Sequence, residues 1–328
     1  MPSIDYVLAT VPYQGEHLAR LRRAFAPAVL HQLRRDDMAG IAAALERADV
    51  AVLAGDLDDR FLGAPRLRWI HCDHAGLNRS ARPEVFARGL LVTSSAGRSS
   101  PVLAEHALLF MLALAYNFPR FYAAQQAHRW GIAGQDALRG LYGCTVGIVG
   151  LGHTGTELAT RAKAMGLRVL GYRRRADAVP GVDRVYSAER GEPLDELLRE
   201  SDYVVLAVPL SDATHHLIGE KELRLMKPTA RLVNMARGAV VDEAALLRAL
   251  REGWIAGAGL DTFAQEPLPP DSPLWEAPNV LITPHMTPQV PDRTGRALDV
   301  IEENVRRYRA GERLLNQLTP EDVYTKAG

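Results

Sequence analysis

Apolar and polar positions follow two patterns along this chain, and each pattern predicts one type of element. Short apolar runs bounded by turn residues predict buried strands, whereas apolar positions three or four residues apart predict helices. In the first hundred residues we predict strands at 4–11, 50–53, 67–72 and 90–94, with helices at 16–25, 38–48 and 79–88. Strands and helices that alternate with short connections are typical of a parallel sheet covered by helices.

A long apolar helix is predicted from Pro101 to about residue 129, with Pro119 near an internal break. After a glycine-bearing connection at 131–143 the alternation restarts. The later strands are predicted at 145–149, 167–172, 203–208, 231–235, 255–260 and 280–283, and the helices include 194–199, 242–251 and 292–310. The last helix stops at Gly311, as glycine commonly does at a helix C-terminus. The pattern therefore predicts an α/β protein with two βα modules.

The most informative segment is the turn that opens the second module. An apolar strand-like run leads into Gly150-x-Gly152-x-x-Gly155, and a helical pattern follows directly. Glycines let the backbone approach a dinucleotide pyrophosphate, and the N–H groups at the helix start bind the anion. This order of strand, turn and helix predicts nucleotide binding; a glycine turn that serves only packing is the alternative.

The next strand ends in three arginines, Arg173, Arg174 and Arg175. An NAD-binding unit carries Asp or Glu at about this point, because a carboxylate binds the ribose 2′-hydroxyl. A guanidinium instead binds a 2′-phosphate through charge-assisted hydrogen bonds. Arg173 and Arg174 therefore favour NADP(H) as the cofactor. A solvated loop is the alternative interpretation, and it leaves NAD(H) possible.

Composition narrows the function classes. The 328 residues include 39 Lys and Arg and 39 Asp and Glu, so the net charge of zero predicts no general affinity for nucleic acid or membrane. Two cysteines, Cys72 and Cys144, fit a reducing compartment. The most apolar segment, 107–116, is too short for a membrane span, and the N-terminus lacks a signal-peptide pattern. We therefore expect a cytoplasmic protein.

Three polar residues follow predicted strands of the second module, namely Arg237, Glu266 and His285. Ligands of parallel sheets bind beyond the carboxyl ends of the strands. There, Arg237 could bind a substrate carboxylate, and His285 could transfer a proton near neutrality. Glu266 could orient the imidazole. Each residue alone has a structural alternative, but their equivalent positions predict a hydride-transfer site.

These segments resemble the D-isomer-specific 2-hydroxyacid dehydrogenases over nearly the full chain. The matching stretches are 145–155, 234–238 and 257–285. The resemblance implies two Rossmann-like or flavodoxin-like domains, with a nucleotide domain at 101–286 inserted into a substrate domain formed by 1–100 and 287–328. It implies an NAD(P)-dependent enzyme acting on a small 2-oxo or 2-hydroxy acid, such as glyoxylate or hydroxypyruvate. The resemblance also implies that Arg237 binds the substrate, that His285 is the acid/base and that Glu266 is the partner of His285.

The resemblance implies further contacts by position. Ala75 and Gly76 are expected to bind substrate together with Arg237 and His285. The expected cofactor contacts, besides the three glycines and two arginines above, are His153, Thr154, Val208, Pro209, Thr214, Ala236 and Asp261. The helix from Pro101 resembles the family's dimerisation helix, which predicts a homodimer.

Some features depart from the family pattern or leave alternatives open. Met286 and Gln289 follow the histidine where small residues are usual, so they either reshape the substrate pocket or adjust local packing. The cysteines are expected to pack. Trp130 and His128 are expected to pack in the core, with a position in the active site of a partner subunit as the alternative. His215 and His216 have no third ligand at a recognisable spacing, so no metal site is predicted. A dinucleotide-sensing corepressor on the same fold is the alternative function.

Overall fold

The computed structural model describes residues 3–286 and 288–326. The chain divides into two compact units. The first unit is formed by Met1–Arg98, Leu210–Ala213 and Val290–Gly328, and the second is formed by Ser99–Pro209 and Thr214–Gln289. Each unit contains a parallel sheet, which confirms the predicted α/β class with two parallel-sheet domains.

The strands are short and rich in valine, isoleucine and leucine. In chain order they are β1 (Tyr6–Ala9), β2 (Val29–Gln32), β3 (Val50–Leu53), β4 (Trp69–Cys72), β5 (Leu91–Ser94), β6 (Thr145–Val149), β7 (Arg168–Arg173), β8 (Arg184–Ser187), β9 (Tyr203–Leu206), β10 (Arg231–Asn234), β11 (Gly257–Leu260) and β12 (Val280–Ile282). The central strands are buried on both faces, as parallel strands covered by helices require.

The helices vary in length from one turn to five. In chain order they are α1 (Gly15–Phe25), α2 (Met38–Leu45), α3 (Asp59–Gly63), α4 (Pro83–Ala87), α5 (Ser100–Ala115), α6 (Phe118–Gln126), α7 (His153–Ala164), α8 (Asp195–Glu200), α9 (Glu220–Leu225), α10 (Glu243–Glu252) and α11 (Arg293–Ala310).

In the first unit the strand order is β2-β1-β3-β4-β5, with every described pairing parallel. Trp69 of β4 lies at its centre, between the rings of Phe25 and Tyr308 at centroid distances of 6.0 and 5.5 Å. These contacts pack α1 and α11 on one face of the sheet. Burying aromatic rings in this way stabilises a core strongly.

In the second unit the strand order is β12-β11-β10-β9-β6-β7-β8, again with parallel pairings throughout the described strands. Ten residues of α5 are buried, and the helix lies directly on the sheet. A Cβ at Gly259 of β11 would come within 2.6 Å of the Phe110 ring. The glycine therefore allows α5 to pack closely at the strand that precedes Asp261.

Two parts of the sequence-based prediction differ from the structure, and the predicted break of the long helix is confirmed. The pattern missed two edge strands, β2 and β8. β2 alternates exposed and half-buried residues instead of forming an apolar run, and β8 begins with the exposed Arg184. The helix predicted at 79–88 is only the single-turn α4. The long helix from Pro101 breaks at Asn117, whose φ of 50° lies in the left-handed region, close to Pro119 as predicted. Pro119 itself lies in the first turn of α6, where its missing N–H costs nothing.

Among the described residues, no single helix is long and apolar enough to cross a membrane. Helices α5 and α6 satisfy that test only as a pair, and the pair is bent by 67° at the break.

Candidate active site

The glycine turn lies between β6 and α7 and has the geometry that a dinucleotide requires. Gly150 has a φ of +102°, and a Cβ there would come within 2.6 Å of the Ala207 carbonyl oxygen. A Cβ at Gly155 would collide with the Gly150 carbonyl, whereas a Cβ at Gly152 would enter open space. Gly150 and Gly155 therefore keep the turn tight, and Gly152 leaves room for a phosphate group. The turn fits a dinucleotide pyrophosphate at the start of α7.

The first residues of α7 complete this turn. His153 and Thr154 begin the helix, and the Thr154 hydroxyl donates to Ser100 Oγ at 3.3 Å. Arg173 is the last residue of β7, the strand next to β6, and it is half-buried. Arg174 and Arg175 follow as exposed residues. The structure thus places two of the three arginines at the surface where β7 ends.

The remaining predicted cofactor residues follow β9, β10 and β11. Val208 and Pro209 come after β9, and the Thr214 hydroxyl donates to the Pro209 carbonyl at 2.7 Å. Ala236 is buried after β10, where its N–H donates to Asn234 Oδ1 at 3.0 Å. Asp261, the residue after β11, is 2% exposed. All of them lie beyond carboxyl ends of strands in the sheet that carries the glycine turn.

Arg237 is held by its own turn. The Asn234 side chain donates to the Arg237 carbonyl at 3.0 Å, and Arg237 Nη1 donates to the Ala236 carbonyl at 2.7 Å. A Cβ at Gly238 would collide with the Phe263 backbone. The turn of Arg237 therefore packs tightly against the segment that leads to Glu266.

His285 and Glu266 form a hydrogen-bonded pair. His285 Nδ1 lies 2.7 Å from Glu266 Oε2, and Glu266 Oε1 accepts the Phe263 N–H at 2.9 Å. Because both carboxylate oxygens act as acceptors, His285 donates its Nδ1 proton to Glu266. The other ring nitrogen, Nε2, is then available for proton transfer to a bound molecule. The His285 side chain is 38% exposed, so a substrate can reach it.

A second hydrogen-bond network lies in the turn around His285. The Thr283 hydroxyl donates to Asp261 Oδ1 at 2.6 Å, and the Met286 N–H donates to the same oxygen at 3.0 Å. His106 Nε2 lies 3.1 Å from the Thr283 hydroxyl oxygen. Burial raises the pKa of Asp261 above its ordinary value. Met286 is 42% exposed, and Gln289 is exposed as well.

The predicted substrate loop of the first unit follows β4. Gly76 has a φ of +75°, next to Ala75. Before it, Asp73 accepts a hydrogen bond from Arg98 Nη1 at 2.6 Å, and both side chains are largely buried. The loop begins close to His71, which is completely buried. The two ring nitrogens of His71 form hydrogen bonds with the hydroxyl groups of Thr93 and Ser95. Burial lowers the pKa of His71 to about 3, so the ring is neutral.

Sequence patterns did not predict two of these features. The Asp73–Arg98 pair and the His106–Thr283 contact join residues far apart in the chain. The available signal was a polar residue within an apolar run, namely His106 in α5 and Asp73 after β4. Such a residue predicts a buried hydrogen bond but does not identify its partner.

The cysteines and Trp130 have different outcomes. Cys72 is buried, and burial raises the pKa of its thiol to about 12, which agrees with a packing role. Cys144 is half-buried, and burial raises its pKa as well. Trp130 is fully exposed at 104%, so the expectation that it packs in the core of this chain is wrong. It lies in the segment after α6. The alternative, a position in the active site of a partner subunit, stays a prediction.

Comparison with known proteins identifies related chains. The family model described as "D-isomer specific 2-hydroxyacid dehydrogenase, NAD binding domain" matches residues 108–287, more than half of the chain. Glyoxylate reductase from Korarchaeum cryptofilum (strain OPF8) is 39% identical over 278 residues, which cover 82% of both chains.

Solved structures give the same result. A D-isomer-specific 2-hydroxyacid dehydrogenase from Xanthobacter autotrophicus Py2, in complex with NADPH and MES, has a TM-score of 0.80 and 32% identity, covering 97% of this chain and 99% of that one. The NADPH-dependent glyoxylate/hydroxypyruvate reductase from Sinorhizobium meliloti, with NADP and sulfate, has a TM-score of 0.78 and 26% identity, covering 96% and 98%. These names do not favour the corepressor alternative.

Proposed function

The chain belongs to the D-isomer-specific 2-hydroxyacid dehydrogenases, and we propose that it reduces glyoxylate or hydroxypyruvate with NADPH as the preferred reductant. As a member of this family it is an NAD(P)-dependent oxidoreductase that transfers a hydride between the dinucleotide and a small 2-oxo or 2-hydroxy acid. The observation that carries the proposal is the 2.7 Å contact between His285 and Glu266, in the same unit as Arg237 and the glycine turn.

Arg237 is the proposed substrate-binding group. A guanidinium can bind the carboxylate of a 2-oxo acid through two parallel hydrogen bonds and withdraw charge from the adjacent carbonyl. The bond from Arg237 Nη1 to the Ala236 carbonyl restricts the side chain before substrate binds. Fewer conformations are then lost on binding, which favours affinity. Ala75 and Gly76 are proposed to bind substrate through their backbone N–H groups.

His285 is the proposed acid in the direction of reduction. When bound, the reduced nicotinamide supplies a hydride to C2 of the 2-oxo acid. The carbonyl oxygen gains negative charge as the C–O double bond is reduced, and the His285 Nε2 proton neutralises it. The Glu266 carboxylate stabilises the cationic ring and keeps Nδ1 as a donor, so that Nε2 faces the reacting oxygen. In the reverse direction His285 accepts the hydroxyl proton.

NADPH is preferred because Arg173 and Arg174 stand where an NAD-specific chain carries a carboxylate. Complexes of two structural relatives support this proposal, since one contains NADPH and the other contains NADP. Val208, Pro209, Thr214, Ala236 and Asp261 are proposed to contact the dinucleotide where the strands end. His153 and Thr154 are proposed to bind the pyrophosphate with the glycines.

The cofactor and substrate are tested together by initial rates of NADPH and NADH oxidation with a panel of 2-oxo acids. Arg173→Ala and Arg174→Ala should raise the KM for NADPH at least tenfold, because each charge-assisted bond to a phosphate contributes about 1.5–3 kcal/mol. The KM for NADH should change little. Arg175→Ala is the matched control, since it removes an exposed arginine next to them. Equal effects on both cofactors would contradict the 2′-phosphate assignment.

The homodimer is proposed to form through α5 and α6. These helices and the segment that follows expose large apolar side chains, namely Leu109, Tyr116, Phe118, Tyr122 and Trp130. Exposed apolar groups of this size are typical of surfaces that bind another protein. Phe118→Glu combined with Tyr122→Glu should convert a dimer to a monomer in sedimentation velocity experiments. Val29→Glu, which alters an exposed apolar residue of the first unit, is the control.

A further inference from the structure

His106 is a buried histidine that the proposed mechanism does not use. It lies on α5, is 3% exposed, and is surrounded in that helix by buried apolar residues. Its ring stacks on Phe110 with the centroids 4.9 Å apart. A hydrogen bond with the Thr283 hydroxyl, at 3.1 Å, joins it to the segment that carries His285.

The network indicates the direction of each hydrogen bond. Asp261 Oδ1 accepts both the Thr283 hydroxyl and the Met286 N–H. A hydroxyl has one proton, and Thr283 gives it to Asp261. Thr283 must therefore accept a hydrogen bond from His106, so Nε2 of the ring is the donor.

The other ring nitrogen, His106 Nδ1, takes no part in this network. The atom is buried and has no hydrogen-bond partner among residues 3–286 and 288–326. A buried polar atom without a hydrogen-bond partner is destabilising, because it has lost its contacts with water. A leucine would fill much of the same space without that cost. The useful contribution of the histidine at this position is therefore its single hydrogen bond to Thr283.

That hydrogen bond acts on a strained turn. His285 has a φ of +47°, in the left-handed region that a residue other than glycine rarely adopts. Such a conformation is unfavourable and persists only when its surroundings hold it. The holding contacts are the His285 N–H to the Thr283 carbonyl, at 3.1 Å, and the Met286 N–H to Asp261.

We propose that His106 is a positioning residue for His285. Its Nε2–H orients the Thr283 hydroxyl toward Asp261, and the oriented carboxylate holds the Met286 N–H, so the imidazole of His285 stays in the geometry required for proton transfer. This inference rests on the proposed function of His285. His106 itself neither touches the substrate nor exchanges a proton during the reaction.

The test compares His106→Leu with His106→Gln. Leucine removes the donor, whereas the glutamine amide can reach Thr283 from a similar position. We expect His106→Leu to lower kcat about tenfold, or ~1.4 kcal/mol, with the KM for the 2-oxo acid changed less than twofold. His106→Gln should restore kcat to within about threefold of the wild-type value, a difference of less than 1 kcal/mol.

Thermal stability separates positioning from a merely structural role. Because leucine removes the unsatisfied Nδ1, the Tm of His106→Leu should equal or exceed that of the wild-type protein while kcat falls. A structural role would instead lower the Tm and leave the turnover of the folded fraction unchanged. Thr283→Val should reduce kcat to a similar extent, and the double variant should be no slower than the slower single variant, because both changes break one network.

Hydrogen exchange at the Met286 amide gives a readout independent of turnover. Exchange should be faster in His106→Leu than in the wild-type protein and should be slow again in His106→Gln. Unchanged kcat and unchanged Met286 exchange in His106→Leu would overturn the positioning role and leave the proposed function standing. A kcat of His106→Gln as low as that of His106→Leu would have the same consequence. If His285→Ala retains wild-type turnover, the proposed function fails, and the positioning role fails with it.

Discussion

Replacing Glu266 with glutamine tests the central pair most directly. In the structure Glu266 accepts from two donors, the Phe263 N–H at 2.9 Å and His285 Nδ1 at 2.7 Å. A glutamine has the same shape but only one acceptor oxygen. If that oxygen accepts the Phe263 N–H, the amide NH₂ faces Nδ1 and selects the wrong tautomer of the ring. If it faces Nδ1, two N–H donors meet at Phe263.

The magnitude follows from the number of hydrogen bonds lost. Glu266→Gln exchanges a charged acceptor for a neutral one and leaves one donor unsatisfied, a change of roughly 1–3 kcal/mol in a buried site. His285 and Glu266 side chains are 38% and 34% exposed, so solvent reduces the effect. We expect about 1–2 kcal/mol at the transition state, or roughly a five- to thirtyfold loss in kcat.

The assay is the initial rate of NADPH oxidation with glyoxylate, with the NADPH Kd measured separately by fluorescence. Glu266→Gln should lower kcat and leave the Kd within about twofold, equivalent to less than 0.5 kcal/mol. Glu243→Gln is the matched control. Glu243 accepts one N–H of the same segment, from Ala264 at 2.6 Å, and glutamine keeps that single acceptor. A kcat of Glu266→Gln equal to that of Glu243→Gln would refute the proposed role of the pair.

Three further predictions concern the glycine turn, acid stability and thiol reactivity. Gly155→Ala should destabilise the protein by about 1–3 kcal/mol in thermal melting, because its Cβ meets a backbone carbonyl. Gly152→Ala should leave the Tm nearly unchanged but raise the NADPH Kd at least tenfold in a titration. Burial raises the pKa of Asp49, but backbone N–H groups and two arginines outweigh it, so the folded pKa lies below the ordinary value. The stability that Asp49 contributes is therefore complete above about pH 4 and is lost as the pH falls through the folded pKa. The urea midpoints of the wild-type protein and of Asp49→Asn should therefore converge as the pH is lowered from 7 to 3. A constant difference between the two midpoints would contradict this prediction. Cys72, with a pKa of about 12, should react with a thiol reagent at pH 8 only after unfolding, and reaction of the native Cys72→Ala variant at the wild-type rate would show that Cys144 is the accessible thiol.

The sequence alone determined the local features of this protein. Apolar runs predicted most strands, because a strand buried on both faces must be apolar at every position. The glycine turn could also be predicted from the sequence. Gly150 and Gly155 meet backbone atoms that leave no room for a Cβ, so the turn requires glycine at these positions. Family membership followed from such segments, and the comparisons bear it out.

Tertiary structure decided which distant residues meet. His106 and Thr283 are 177 positions apart, and no local pattern pairs them. The packing of α5 on the sheet brings these two side chains together. Similarly, β2 pairs with β1 although its sequence lacks an apolar run, because a neighbouring strand satisfies its backbone. Local sequence fixes backbone preference and burial, whereas hydrogen-bond partners depend on how the elements pack.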